Sequence, residues 1–194
     1  MSNHSPMPPY DELSCYLKYN PDTGIGIWVA SPGRRVKAQT IAGYYNKGYL
    51  QIAYKKRLYR GHRLFWYLQT KEDPKDFTID HIDQNKANNK FCNLRLATQT
   101  QQRQNIFIHK NNTTGFRGIR WREHSQRYEA RIALNGKRIQ LGLYKTLDQA
   151  VAVRQAKELE LYGKFSPLHQ LNNDQRLILD NNDQQLSLLR HPSL

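Results

Sequence analysis

Acidic residues are missing from two long stretches of this 194-residue chain. Between Thr23 and Lys71 there is no Asp or Glu, against Arg34, Arg35, Lys37, Lys47, Lys55, Lys56, Arg57, Arg60, Arg63 and Lys71. Between Gln84 and Arg122 the same holds, against Lys86, Lys90, Arg95, Arg103, Lys110, Arg117, Arg120 and Arg122. The net charge is +14. Charge of one sign over such lengths, interleaved with Tyr and Trp, is the footprint of a polyphosphate partner. A solvated basic face is the bland alternative. An anionic membrane surface is disfavoured, because no stretch has the pattern of a basic amphipathic helix.

Cysteine is equally scarce. Cys15 and Cys92 are the only two, too few for a disulfide framework or a four-cysteine zinc site, and they point to a reducing, cytoplasmic setting. No apolar run approaches the roughly 18 residues that span a bilayer. The start "MSNHSPMPPYDEL" has no cationic segment followed by an apolar one, so no signal peptide is expected. Apolar residues make up 38% of the chain and mean hydropathy is −0.83, which is low for one large core. Three Trp, twelve Tyr and six Phe argue against wholesale disorder, since aromatics bury large areas. Small domains with thin cores follow. There is no internal repeat.

Turn signals divide the chain. Residues 1–9 read as a disordered tail. "YDELSCYLKYNPDTG" reads as a short helix followed by a turn, with Asn20-Pro21-Asp22-Thr23-Gly24 as the breaker. Short strands with Gly-containing turns follow to about residue 61, and Lys55-Lys56 joins "YLQIAY" to "RLY" as a tight hairpin. "HRLFWYL" reads as a helix burying Leu64, Phe65 and Leu68. His62 opens it, with a packing role or a phosphate contact as the two readings. "FTIDHI" and "NLRLAT" are strands, with Phe77, Ile79 and Ile82 on the apolar side of the first and Leu94 and Leu96 on one face of the second. An Asn-rich loop separates them, in which Asp83, Asn85, Asn88 and Asn89 read as scaffolding. Thr98 and Gln101 form a capping box that starts a helix.

A strand-loop-strand-helix unit carrying adjacent Asp80 and His81 suits a phosphodiesterase that uses one metal. A hard divalent ion takes one carboxylate, an amide carbonyl, a phosphate oxygen and waters. A neutral His can take a proton from the attacking water. Neighbours on an ideal strand point to opposite faces, so for both to serve one site the strand must twist or end there. The residues "HRLFWYL" and "DHIDQNKANNKFCNLRLAT" resemble the HNH endonucleases, with a ββα-metal fold, of the homing type found in phages and introns. The resemblance covers roughly residues 10–105. It implies His81 as general base, Asp80 as ligand of one divalent metal, most simply Mg²⁺, and Asn93 as the central Asn of the motif. Where the family carries its last Asn or His, this chain has Gln102, whose carbonyl sits on a longer stem. Asn105 is a fallback.

After a connector at 106–112, "GFRGIRWRE", "QRYEARIAL" and "KRIQLGLY" alternate polar and apolar residues as three strands with one wet face. Asn135-Gly136 makes the second hairpin. "TLDQAVAVRQAKELELYG" is a helix capped by Thr146 and Gln149, with Leu147, Ala150, Val151, Val153, Ala156 and Leu159 as its apolar stripe and Gly163 as its stop. Residues 113–165 resemble an AP2 DNA-binding domain. That resemblance implies a three-stranded antiparallel sheet packed on one helix, its open face reading DNA through Arg117, Arg120, Arg122, Arg131, Arg138 and Gln140. Residues 166–194 read as a polar tail, with a short helix at Gln175–Leu179.

The expected fold is thus α+β: a small β-rich region at 10–61, a ββα-metal HNH unit at 62–105 and an AP2-type domain at 113–165. The expected function is metal-dependent hydrolysis of duplex DNA, with no small-molecule substrate and with a monomer favoured. The alternative is a DNA-binding protein in which Gln102 marks a decayed site. An RNA-binding module fits less well, because strand arginines suit a wide major groove.

Overall fold

Antiparallel hairpins carry most of the ordered chain in the computed structural model, which describes residues 6–105 and 111–170. The tails expected at 1–9 and 166–194 and the connector at 106–112 fall partly outside the described residues. The helix expected at Gln175–Leu179 falls wholly outside them. Among the described residues no helix is long and apolar enough to cross a membrane. The chain divides into two compact units, Met1–Gln102 and Arg103–Leu194.

In the first unit, helix α1 (Tyr10–Tyr16) leads into β1 (Leu17–Asn20), β2 (Ile25–Trp28) and β3 (Thr40–Ile41), a three-stranded sheet in that order. The turn between β1 and β2 forms because Asn20 Oδ1 accepts from the backbone N–H groups of Asp22 (3.0 Å) and Thr23 (3.1 Å), the local bond that makes Asn a turn residue. A second sheet comprises β4 (Tyr44–Asn46), β5 (Tyr49–Tyr54) and β6 (Arg57–Arg60). Lys55 and Lys56 connect its last two strands at φ +45° and +62°, as a two-residue turn with both φ positive requires.

Helix α2 (Gly61–Thr70) buries its first five residues. Leu64 and Phe65 join Leu13, Leu17 and Ile52 in a core with no solvent exposure, and Leu68 packs half-buried against it. Tyr19 stacks on Phe65 with ring centroids 4.5 Å apart. Burying a side chain the size of Phe65 contributes about 2–3 kcal/mol, so α2 is the element that ties both sheets together. Arg63 is also buried. Its guanidinium donates to the carbonyls of Phe77 (2.7 Å) and Lys75 (3.1 Å), which fixes the approach to the next hairpin.

That hairpin pairs β7 (Thr78–His81) with β8 (Leu94–Ala97), placing Asp80 opposite Arg95 and His81 opposite Leu94. Phe77, expected on the apolar side of the strand, is 48% exposed. Its N–H bonds Pro74 in a turn (2.9 Å), so the strand starts only at Thr78. A 3-10 turn, Phe91–Asn93, precedes β8. Helix α3 (Gln99–Gln102) follows through a capping box: Thr98 N–H donates to Gln101 Oε1 (2.8 Å) and Gln101 N–H to Thr98 Oγ1 (3.2 Å).

The second unit is a three-stranded antiparallel sheet of β9 (Ile119–Arg122), β10 (Arg127–Leu134) and β11 (Lys137–Tyr144), with β10 central, packed on helix α4 (Leu147–Tyr162). The core is small: Ile119, Ala130 and Ala150, flanked by Tyr128, Leu141, Tyr144, Leu147 and Val151. Gly118 has φ +74°, and a Cβ there would lie 2.3 Å from the Arg131 carbonyl oxygen. Only glycine lets that strand approach.

The buried row of α4 differs from the apolar stripe expected. It is Ala150, Arg154, Glu158 and Tyr162, while Val153, Ala156 and Leu159 are half-buried. Residues four apart share a face, and this row goes under because its charges cancel. Arg154 Nη1 donates to Glu158 Oε2 (2.5 Å) and Ser166 Oγ to Glu158 Oε1 (2.9 Å).

Candidate active site

The loop between β7 and β8 is held by its own amides. Asn93 is the hub: Oδ1 accepts from Asp83 N–H (3.0 Å), while Nδ2 donates to Asp83 Oδ1 (2.9 Å) and to the Asn88 carbonyl (2.8 Å). Asn88 Nδ2 donates to Asp83 Oδ2 (2.7 Å), and Asp83 Oδ1 also accepts from Asn85 N–H (2.8 Å). Asp83 therefore knots the loop, the role expected of it. Asn93 joins the loop to the strand end as well, since its carbonyl accepts from Ile82 N–H (2.8 Å).

Asn89 has a role that nothing in the sequence singles out. It is 2% exposed, and its Oδ1 lies 3.2 Å from His81 Nε2. Its Nδ2 donates to the Ala87 carbonyl (3.2 Å), which sets the orientation of the amide. An amide oxygen only accepts, so His81 carries its proton on Nε2 and, when neutral, presents the lone pair of Nδ1. The Asn-rich run hid this residue, because every amide in it has the same local signature and only the fold distinguishes them.

His81 is the last residue of β7 and is buried. Burial pushes its imidazole below the ordinary value of 6.5, against the Asn89 bond and the charges of Asp83 and Asp80. The neutral ring is favoured at neutral pH. His62, at the start of α2, packs edge-on to it with ring centroids 5.0 Å apart, and Tyr49 lies 6.2 Å from His81 and 5.7 Å from His62. His62 is thus a packing partner of the histidine.

Asp80 faces Arg95 across the hairpin. Arg95 Nε (2.9 Å) and Nη2 (2.8 Å) both donate to Asp80 Oδ2, as the register dictates. Gln102 ends α3, half-buried, with its backbone N–H on the Thr98 carbonyl (2.9 Å). Helix α3 packs beside both β7 and β8, so Gln102 belongs to the same small ββα unit as Asp80 and His81.

A profile of HNH endonucleases matches residues 59–104, from the end of β6 through α3. The middle of the chain is an HNH endonuclease domain. Among curated proteins the chain is 29% identical to Protein 3.8 of Escherichia phage T7 over 107 residues, 55% of this chain and 88% of that protein. It is 34% identical over 93 residues to a protein of Acanthamoeba polyphaga mimivirus named "Uncharacterized HNH endonuclease L560", covering 48% of this chain and 47% of that one. The chain thus spans about half the length of the mimivirus protein. No solved structure matches.

HNH nucleases generally use a divalent metal. Among the described residues no group of three or more His, Cys, Asp and Glu side chains could hold one. The Asp80 carboxylate and the Gln102 side-chain carbonyl are hard oxygen donors that could hold one. That set suits an ion such as Mg²⁺, which keeps several waters and takes few protein ligands. The donor chemistry fits.

In the second unit, register sets the open face of the sheet. Arg120, Arg122, Arg127, Arg131, Arg138 and Gln140 share it with Glu129, opposite the face that carries Ile119, Tyr128 and Ala130. Trp121 packs half-buried against Tyr128, with ring centroids 4.8 Å apart. Arg120 Nε (2.5 Å) and Arg122 Nη2 (2.9 Å) both reach Glu129. Those bonds, the Arg122 one foremost, hold the Glu129 carboxyl below its ordinary range. Arg117, expected on the first strand, lies before it. Its guanidinium donates to the carbonyls of Gln104 (2.6 Å) and Arg103 (2.9 Å).

Proposed function

We propose that this protein is a metal-dependent endonuclease that hydrolyses phosphodiester bonds of duplex DNA. Its HNH unit cuts, and its C-terminal sheet, AP2-like in sequence, binds the duplex. The observation that carries this reading is the Asn89–His81 bond, which orients a buried histidine at the end of β7 and puts its proton on Nε2, so that Nδ1 is the basic atom of the neutral ring. A general base needs that lone pair within reach of the proton it takes. His81 accepts the proton of the attacking water. Asn93 keeps the loop closed against the strand end, and Asn89 holds the ring. Asp80 and Gln102 would hold Mg²⁺, which when bound stabilises charge on the phosphate and the leaving oxygen. On the C-terminal sheet, Arg120, Arg122, Arg131, Arg138 and Gln140 would meet base edges or phosphates. Arg117 would act by anchoring residues 103 and 104 or by contacting a phosphate. Such a chain, as a monomer, would nick one strand per visit.

Nicking of supercoiled plasmid with Mg²⁺ tests this: conversion to open circles by the wild type, none by His81→Ala, and equal duplex binding by both. A second reading, a DNA-binding protein that does not cut, has one observation in its favour: Arg95 holds the Asp80 carboxylate through two bonds. Under it the wild type binds duplex and leaves the plasmid intact.

A further inference from the structure

Two cations converge on one aromatic ring beside His81. The Arg60 guanidinium carbon lies 4.7 Å from the centroid of Tyr49, and Lys86 Nζ lies 4.8 Å from the same centroid. The three residues come from different elements: Arg60 ends β6, Tyr49 starts β5, and Lys86 belongs to the Asn-rich loop. The approach is not accidental crowding at a flexible tip. A Cβ at Gly48 would sit 3.5 Å from Lys86 Cδ, so the lysine stem lies along the turn that leads into β5. Tyr49 in turn packs on His62 and His81.

Like charges repel, and exposed lysine and arginine ordinarily drift apart or find carboxylates. Here both are exposed, and among the described residues neither makes an ion pair with a carboxylate. The nearest acid in the loop, Asp83, spends its oxygens on Asn85, Asn88 and Asn93. The electron-rich face of Tyr49 offsets part of the repulsion, yet it neutralises nothing. Helix α2 begins at the next residue after Arg60, with no acid in its first turn and no side-chain cap, so its end adds positive potential to the same spot. A pair of uncompensated cations held at fixed separation suits a ligand with repeated negative charges.

We propose that Tyr49 is a platform that holds Arg60 and Lys86 as a clamp for the phosphates of the DNA strand that runs past His81. Tyr49, Arg60 and Lys86 are positioning residues. This deepens the endonuclease reading and rests on it for the identity of the strand. The clamp also explains why a tyrosine stands where the hairpin meets the loop: its ring is in reach of both cations and of the histidine.

The test measures duplex affinity against salt in His81→Ala protein, which cannot turn over, using a mixed-sequence oligonucleotide duplex. The background is compared with added Arg60→Ala, Lys86→Ala, both together, and Tyr49→Leu. Each lost phosphate contact lowers the slope of log K against log[salt] by about 0.9, so the double substitution lowers it by about 1.8 and Tyr49→Leu by a comparable amount. Lys56→Ala removes an exposed cation at the far end of β5, roughly 16 Å away at strand rise, and leaves the slope closer to the background. In protein with His81 intact, the Arg60→Ala/Lys86→Ala variant at saturating concentration should nick plasmid at least tenfold more slowly. Both side chains are exposed, so this variant keeps its fold, checked by its melting temperature. Slopes unchanged by the double substitution, or changed no more than by Lys56→Ala, overturn the clamp. A wild type that never nicks plasmid overturns the endonuclease reading instead, and the salt slopes still judge the clamp.

Discussion

At the scale of single residues, two asparagines with the same sequence signature have different consequences when removed. Asn93 makes three side-chain hydrogen bonds, one of them to a carboxylate. Replacing it by Ala should cost roughly 2–4 kcal/mol, read as a lower urea midpoint with an unchanged m value. Asn89 holds the ring of His81, and groups that orient an active-site imidazole are typically worth 10- to 100-fold in activity. Asn89→Ala should therefore slow plasmid nicking by at least tenfold while duplex affinity stays within twofold of wild type. Equal losses in affinity and rate would show that the loop, and not the ring, was disturbed. Gln102 offers a test in the opposite direction. Gln102→Asn shortens the stem to the family's usual length and should raise the nicking rate in Mg²⁺. A lower rate would mean that the longer stem is fitted to this site. Asp80, His81 and Asn93 could be singled out in the sequence because their spacing is itself a pattern. Asn89 was not legible, because its partner is chosen by loop geometry and not by spacing.

Elements tell a similar story with different physics. The two N-caps, at Thr98 and Thr146, could be read from the sequence because a cap is a local bond between residues three apart. Thr146 Oγ1 does accept from Gln149 N–H (3.3 Å), and Thr146→Ala should destabilise the second unit by about 1 kcal/mol, seen as a lower melting temperature. The buried row of α4 escaped apolar pattern matching because Arg154 and Glu158 go under as a neutral pair. Arg120 and Arg122 were legible as strand residues of one face, whereas their shared partner, Glu129, depends on cross-strand register. That partner gives a pH prediction. Because the folded Glu129 carboxyl ionises more readily than its ordinary value of 4.5, the ion pairs contribute fully above that value. The contribution disappears as pH falls through the lower folded value. The melting temperature of wild type should exceed that of Glu129→Gln near pH 6, and the gap should close as pH falls well below the ordinary value of 4.5. A gap independent of pH would assign the difference to packing.

On the scale of the whole molecule, the net charge of +14 makes duplex affinity steeply salt-dependent in any functional reading, since each phosphate neutralised releases counterions. A flat dependence in a filter-binding titration would remove the charge argument. The division of labour along the chain is less visible from charge than from contacts. Gly24, in the first turn, has φ +74°, and a Cβ there would lie 2.6 Å from the backbone of Asn89 and Lys90. Tyr19 Oη donates to the Asn89 carbonyl (2.7 Å), and Phe91 N–H donates to Pro21 (2.9 Å). The backbone of the residue that holds His81, and of the two residues after it, is therefore built partly by a turn some sixty-five positions earlier, well outside the matched segment 59–104. The recognisable nuclease motif is consequently not a portable cassette. Grafted without residues 19–24 it would lose the mould that shapes its loop, so a turn outside the matched segment becomes part of the proposed site.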